Sequence, residues 1–198
     1  MAIGAGRTTR SLDRGNMGPS LVVEEPNVKR EGSYRSLVQE FVDRGERLIP
    51  FVLELPNDDF PGLVGRLSAF SRGESLPEGF VPHSTLWLVR DDADIVGVSN
   101  FRHKLTDNLR REGGHIGYGI RPSVRGLGYA TTLLAHTLAR AEEMGLAEVL
   151  LTCAKANVAS VRTIIRNGGV LISEEFIPER GEIVQRYTVS LNARGAAL

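Results

Sequence analysis

Arg125-Gly126-Leu127-Gly128-Tyr129-Ala130 combines a cation with two glycines where an apolar run ending at Ile120 gives way to helical periodicity. That combination suits an anion. Gly126 and Gly128 carry no side chain to keep a ligand from the backbone. The first turn of a helix has N–H groups with no intrahelical acceptor. With the helix dipole they attract negative charge, and a phosphate is the natural occupant. Arg125 can add a charge-assisted hydrogen bond, and Thr131 and Thr132 can offer hydroxyls. The spacing is not that of a nucleoside-triphosphate loop, whose lysine is missing. It is not Gly-x-Gly-x-x-Gly either, because Thr131 stands where the third glycine would be. Alone, the six residues argue for a phosphate at a helix start. A glycine-containing turn with a solvated arginine has the same local pattern.

The elements that must position this loop follow from periodicity. Leu21-Val22-Val23, ended by Pro26, reads as a first strand. Tyr34, Leu37, Val38 and Phe41 recur at helical spacing, with Ser33 as a cap and Gly45 as the stop. The segment 49–55 is open between strand and loop. Phe60, Leu63, Val64, Leu67 and Phe70 mark a second helix, with Asp58 or Asp59 at its start, and 73–82 reads as a loop. Segments 84–90 and 95–101 form a hairpin around Asp91, Asp92 and Asp94, and 104–113 is a loop or short helix. A strand over 115–120 leads into the glycine turn. The long helix that follows presents Leu134, Leu138, Ala141 and Met144 on one face and closes at Gly145. Val149-Leu150-Leu151 reads as a strand covered on both faces. A helix over 157–167, with Val161, Ile164 and Ile165 inward, stops at Gly168-Gly169, and strands over 170–176 and 184–191 end the chain. The strands around Ile116 and Leu150 are expected to be parallel, with the long helix crossing between them right-handedly. The fold class is α/β, an α+β mixed sheet with helices packed on its faces.

The 198 residues suit one domain, expected over 18–198, preceded by a leader over 1–17 with Met17 as an alternative start. Arg7, Arg10 and Arg14 in that leader are not accompanied by the apolar stretch of a secretory signal, and a basic interaction arm is the alternative reading. Formal net charge is zero, which gives no electrostatic footprint for nucleic acid. No apolar run approaches the ~20 residues of a membrane helix. The single cysteine, Cys153, rules out an intrachain disulfide and is compatible with a reducing cytoplasm. It reads as a packed thiol, and Trp87 as a core residue. No Cys/His cluster has metal-site spacing, so no metal is expected.

Several motifs in order resemble the GCN5-related N-acetyltransferase (GNAT) family. Arg125 to Ala130 is similar to that family's Arg/Gln-x-x-Gly-x-Gly/Ala pyrophosphate loop. Gly117-Tyr118-Gly119-Ile120-Arg121-Pro122 resembles its fourth strand and the following turn. Asn157-Val158-Ala159-Ser160 and Arg166-Asn167-Gly168-Gly169 resemble the start and end of its next helix. Phe101-Arg102-His103 and Gly114-His115-Ile116-Gly117-Tyr118 further resemble a bacterial subgroup of the family. The resemblance implies a mostly antiparallel sheet with one parallel, splayed strand pair, and acetyl-CoA as co-substrate. Tyr118, Gly119 and Ile120 would align the pantetheine arm and its thioester. Arg125, Gly126, Leu127, Gly128, Tyr129, Ala130 and Thr131 would hold the pyrophosphate, with Asn157 and Ser160 beside it. The implied reaction is direct attack on the thioester by a primary amine, from a small molecule or a peptide, and a homodimer is left open.

Such an amine has a pKa of ~10.4, so a group must accept its proton. His115 has the best-matched pKa and shares a strand face with Gly117 and Gly119, while Tyr118 lies on the opposite face. Two glycines beside a histidine admit either a substrate or a closely packed neighbour. Glu112 and His103 are further candidates. Where family members carry a tyrosine that protonates the thiolate, this sequence has Ile164, and Tyr118 or Tyr187 could substitute. That departure keeps a second reading open, a non-catalytic acyl-CoA-binding module.

Overall fold

The computed structural model describes residues 18–191, so the leader expected over 1–17 and the last seven residues of the expected domain lie outside the described residues. In chain order the elements are β1 (Leu21–Glu24), α1 (Glu31–Asp43), α2 (Phe60–Ser71), β2 (His83–Arg90), β3 (Asp94–Arg102), α3 (Asp107–Arg111), β4 (Ile116–Ile120), α4 (Tyr129–Glu143), β5 (Glu148–Ala154), α5 (Val158–Arg166), β6 (Val170–Ile177) and β7 (Glu182–Ser190). The ambiguous segment after α1 forms a 3-10 turn over Phe51–Glu54.

The strands form two antiparallel sheets, ordered β1-β2-β3-β4 and β5-β7-β6. No ladder joins β4 to β5. They meet where the His115 N–H donates to the Leu150 carbonyl at 2.8 Å and the Leu150 N–H donates to His115 Nδ1 at 2.9 Å. The Gly113 N–H adds a bond to Thr152 Oγ1. Gly114 lets the chain come this close. It sits at φ 59°, and a Cβ there would lie 2.6 Å from the Leu150 oxygen.

One apolar cluster holds the two sheets together on the side away from α1 and α2. Phe101 and Ile116 come from the first sheet, Val149, Leu151, Tyr187 and Val189 from the second. Leu134, Leu138 and Ala141 of α4 and Ile164 of α5 complete it. The opposite face of the first sheet buries Trp87 and Val98 against Tyr34, Leu37 and Phe41 of α1 and Phe60, Leu63 and Leu67 of α2. No described helix is long and apolar enough to cross a membrane.

Three sequence expectations about side chains are corrected. Ser33 does not cap α1. The helix starts at Glu31 behind a 3-10 turn capped by Asn27, and Ser33 Oγ accepts from the Ile95 N–H, tying α1 to β3. Met144 and Ile165 are 40% and 55% exposed. Both fall where the packed stripe of their helix has already rotated away from the sheet. Trp87 is fully buried, as expected.

Gly114→Ala is expected to destabilise the fold by about 1–3 kcal/mol, because it adds backbone strain and a clash with a backbone carbonyl. Chemical denaturation measures this, and an unchanged midpoint would show that the sheets do not depend on so close an approach.

Candidate functional site

The residues leading into α4 adopt the geometry an anion needs. Gly126 and Gly128 have φ of 83° and 85°, and a Cβ at either would meet nothing within 4 Å. Their open side is therefore free for a ligand. Asp59 caps α2, Thr106 caps α3 and Asn157 caps α5, but no side chain caps α4. The Thr131 and Thr132 N–H groups both go to the Gly128 carbonyl, and the amides of Tyr129 and Ala130 precede any intrahelical acceptor.

Two arginines brace this turn. Arg121 is 7% exposed and fully engaged. Its Nε donates to the Ile95 carbonyl, one terminal nitrogen to Glu40 at 2.8 Å and to Ser36, and the other to Ser33. Glu40 also accepts from the Ser123 N–H. Burial opposes ionisation of Glu40, but the hydrogen bonds from Ser123 and Arg121 outweigh it and hold the carboxyl below its ordinary range. Arg125, expected to face a phosphate, donates through both terminal nitrogens to Glu46 at 3.0 and 2.6 Å. It also bonds the Ile120 carbonyl and lies over the Phe41 ring. That hydrogen-bonded pairing lowers the Glu46 pKa.

β4 supplies a free backbone edge. The Arg102 N–H bonds the His115 carbonyl and the Arg121 N–H bonds the Val96 carbonyl, in a register pairing Asn100 with Gly117 and Val98 with Gly119. This turns the amides of Gly117 and Gly119 toward β3. Those of Tyr118 and Ile120 face the other way, where no strand is paired. They open onto a cleft of about 740 Å³ that reaches from β4 to α5 and the start of α4. Across it the Tyr118 hydroxyl lies 2.8 Å from Ser160 Oγ, and burial pushes its pKa up to about 12.

Of the sequence-derived candidates, Tyr118, Gly119, Ile120, Arg125, Gly126, Gly128, Tyr129, Ala130, Thr131, Asn157 and Ser160 line this single cleft. Leu127 points outward, 63% exposed, and Asn157 Oδ1 accepts from the Ser160 N–H. The remaining candidates lie elsewhere. Tyr187 is buried and donates to Gln185, Glu112 pairs with Arg180, and His103 Nε2 bonds Ser84. Burial raises the pKa of Cys153, which packs in the core between the sheets. Ile164 is buried in that same core. His115 sits at the joint of the sheets. Because Nδ1 accepts from Leu150, the ring proton is on Nε2. Burial, then the nearby Arg110 and Arg102, hold its pKa near 4. Among the described residues, no group of three or more His, Cys, Asp or Glu gathers as a metal site would need.

Sequence reasoning missed Glu46, Arg47, Arg162 and Arg166, which also line the cleft. The last two had a readable signal. Ala159, Arg162, Thr163 and Arg166 recur at the spacing of one face of α5.

Residues 43–170 match the family model described as an acetyltransferase (GNAT) domain. Comparison with curated protein sequences gives no match. Among solved structures, the acetyltransferase that modifies the N-terminal serine of ribosomal protein L7/L12 from Salmonella typhimurium is similar. Its TM-score is 0.63 at 15% identity, covering 86% of this chain and 95% of that one. Spermidine N-acetyltransferase from Vibrio cholerae gives 0.59 at 17% identity, covering 88% and 95%. The microcin C7 self-immunity acetyltransferase MccE, in complex with acetyl-CoA and AMP, gives 0.63 at 14% identity, covering 86% and 92%. At such identities the likeness is one of fold.

His83, buried against Phe51 and Phe70, is likewise held near 4, by burial and then by Arg102 and His103. Both imidazoles thus have folded pKa values below the unfolded ~6.5. Their contribution to stability is complete above about pH 6.5 and is lost as pH falls toward 4, because the unfolded chain binds those protons first. Thermal melts across that window are expected to drop with pH and to drop less in His115→Gln. An unchanged slope in the variant would reject a neutral His115 at the joint.

Proposed function

The chain belongs to the GNAT acetyltransferase family, and from that premise we propose that it transfers acetyl from acetyl-CoA to a primary amine by direct attack in a ternary complex. One observation carries this reading. The uncapped glycine turn and the unpaired edge of β4 open onto the same cleft, so one ligand can engage both. The pyrophosphate of CoA would lie against the amides of Gly126, Gly128, Tyr129 and Ala130, where the helix dipole favours negative charge. The pantetheine arm would then run beside β4 and take the hydrogen bonds a neighbouring strand would have made. An amide of Tyr118 or Ile120 would polarise the thioester carbonyl and stabilise the oxyanion as the amine adds. Collapse of the tetrahedral intermediate breaks the C–S bond and leaves CoA thiolate and the amide. Holding both substrates in the cleft would supply much of the acceleration.

Tyr118 is the group we assign to the leaving sulfur. Its hydroxyl lies on the α5 side of the cleft, one turn before Ile164. With a pKa near 12 it stays protonated. A thiol ionises near ~8.5, so full proton transfer to the thiolate is uphill and the hydroxyl acts as a hydrogen-bond donor. We assign His115 to holding the sheets together, since its Nδ1 lone pair is engaged by Leu150. The acceptors named for two of the similar structures, spermidine and a protein N-terminal serine, are both amines, in line with the proposed chemistry.

Two measurements test the proposal. In calorimetry, Gly128→Glu is expected to abolish acetyl-CoA binding, because it fills the open side of the turn with a carboxylate. The strain of a left-handed glutamate should cost about 1–3 kcal/mol of stability without unfolding the protein. Unchanged affinity would remove the turn from the site. With a panel of polyamines, aminoglycosides and peptides carrying free N-termini or lysines, acetyl-CoA is expected to release CoA thiol above the hydrolytic background for at least one acceptor class. Tight binding of acetyl-CoA with no release for any amine would favour the non-catalytic acyl-CoA-binding reading, which the buried Ile164 supports.

A further inference from the structure

The cleft is lined by four arginines, and they fall into two kinds. Arg125 is paired with Glu46, and Arg47 reaches Glu54 at 3.4 Å. Arg162 and Arg166 meet no carboxylate among the described residues, although both line the cleft. They stand one turn apart on α5, about 6 Å along its axis, so the two heads can converge on one group. A pair of unneutralised cations on one helix face repels itself and is favoured when an anion sits between them. Arg166 lies in the last turn of α5, where a cation is favourable for the helix dipole, but Arg162 is in mid-helix and gains nothing from that.

The direction of the bound donor tells which anion this would be. On the proposed reading, on which this inference rests, the thioester end lies at Tyr118 and Ser160, beside the first turn of α5. The pyrophosphate lies at the start of α4. The later turns of α5 run alongside that same start, since Asn167 Nδ2 donates to the Thr131 carbonyl at 3.3 Å. A nucleotide leaving the pyrophosphate on the α5 side, away from the sulfur, would meet Arg162 and Arg166. The remaining anion on that side of CoA is the 3′-phosphate of the ribose, a near-dianion at neutral pH.

We infer that Arg162 and Arg166 form a subsite for the 3′-phosphate of CoA. The pair makes the protein discriminate CoA thioesters from acyl carriers that end in pantetheine phosphate or in an unphosphorylated adenosine ribose. Charge-assisted contacts of this kind are strong, and solvent at the rim of the cleft moderates them. The pair is expected to contribute roughly tenfold in affinity.

The test compares acetyl-CoA with 3′-dephospho-acetyl-CoA by calorimetry at fixed ionic strength. The wild-type protein is expected to bind acetyl-CoA roughly tenfold more tightly. In the double variant Arg162→Gln, Arg166→Gln that ratio should fall to about one, while affinity for the dephospho ligand is largely kept. Equal wild-type affinities for the two ligands would overturn the subsite and leave the pyrophosphate reading intact. Wild-type discrimination that survives in the double variant would overturn the assignment to these two arginines. No binding of either ligand would overturn the CoA reading itself, and the subsite with it. The wild-type comparison needs no variant, so it decides even if the substitutions lower stability.

Discussion

Two hydrogen bonds between His115 and Leu150 decide where the sheet stops being continuous. Strands normally pair along their length, because an unpaired buried amide is costly. Here β4 and β5 touch at one end, and beyond it the Tyr118 and Ile120 amides have no strand to bond. Two features keep the gap from closing. The cluster of Phe101, Ile116, Leu151, Leu134 and Ile164 supports both sheets from behind, so their spacing is set by side chains and not by a ladder. Tyr118 meets Ser160 of α5 across the opening, which holds the helix against the strand. The amides left over are not stranded in apolar surroundings. They face a cleft that water or a ligand can fill.

The arginines around that cleft divide by burial and by partner. Arg121 is buried and every direction of its fork is occupied, which lets it lock α1, β3 and the turn before α4 into one body. Removing its partner Glu40 would leave a buried charge uncompensated, the costly half of a buried ion pair. Arg125 is half exposed and shares Glu46 with solvent. Its guanidinium also lies over Phe41, so its position is fixed before any ligand arrives. The shape of the turn proposed to hold an anion therefore depends on α1 as much as on the loop itself.

The local parts of this site were legible in the sequence and the long-range parts were not. Gly126, Gly128 and Asn157 answer local backbone demands, a left-handed turn and a helix cap, and such demands leave residue types at fixed spacing. The face shared by His115, Gly117 and Gly119 followed from strand alternation. What alternation could not reveal is that Ile49 crosses that face: a Cβ on Gly119 would lie 2.0 Å from the Ile49 carbonyl oxygen. At Gly119, then, the glycine admits a segment of the chain itself. Glu46 and Ser33 escaped for the same reason. Their partners, Arg125 and Ile95, lie far along the chain, and nothing local in their sequence points there. The division of the strands into two sheets was not foreseen: the expectation was one mixed sheet with a parallel, splayed pair around Ile116 and Leu150, since each strand taken alone has an ordinary pattern.

The balance of proton affinities bears on how the cleft could work. A thioester already carries a good leaving group, so departure of sulfur does not need an acid of matched pKa. A tyrosine near 12 suits hydrogen bonding to a developing thiolate and resists losing its own proton. The harder proton is the one on the attacking amine, which must leave before or during addition. The His115 imidazole, the best-matched candidate by its ordinary pKa, is bound through Nδ1, and burial holds its pKa near 4. A base held that far below neutrality has little driving force to deprotonate an amine of pKa ~10.4. On the proposed reading, the demand would therefore fall on desolvation of the amine, which lowers its own pKa and raises the share that enters the cleft neutral.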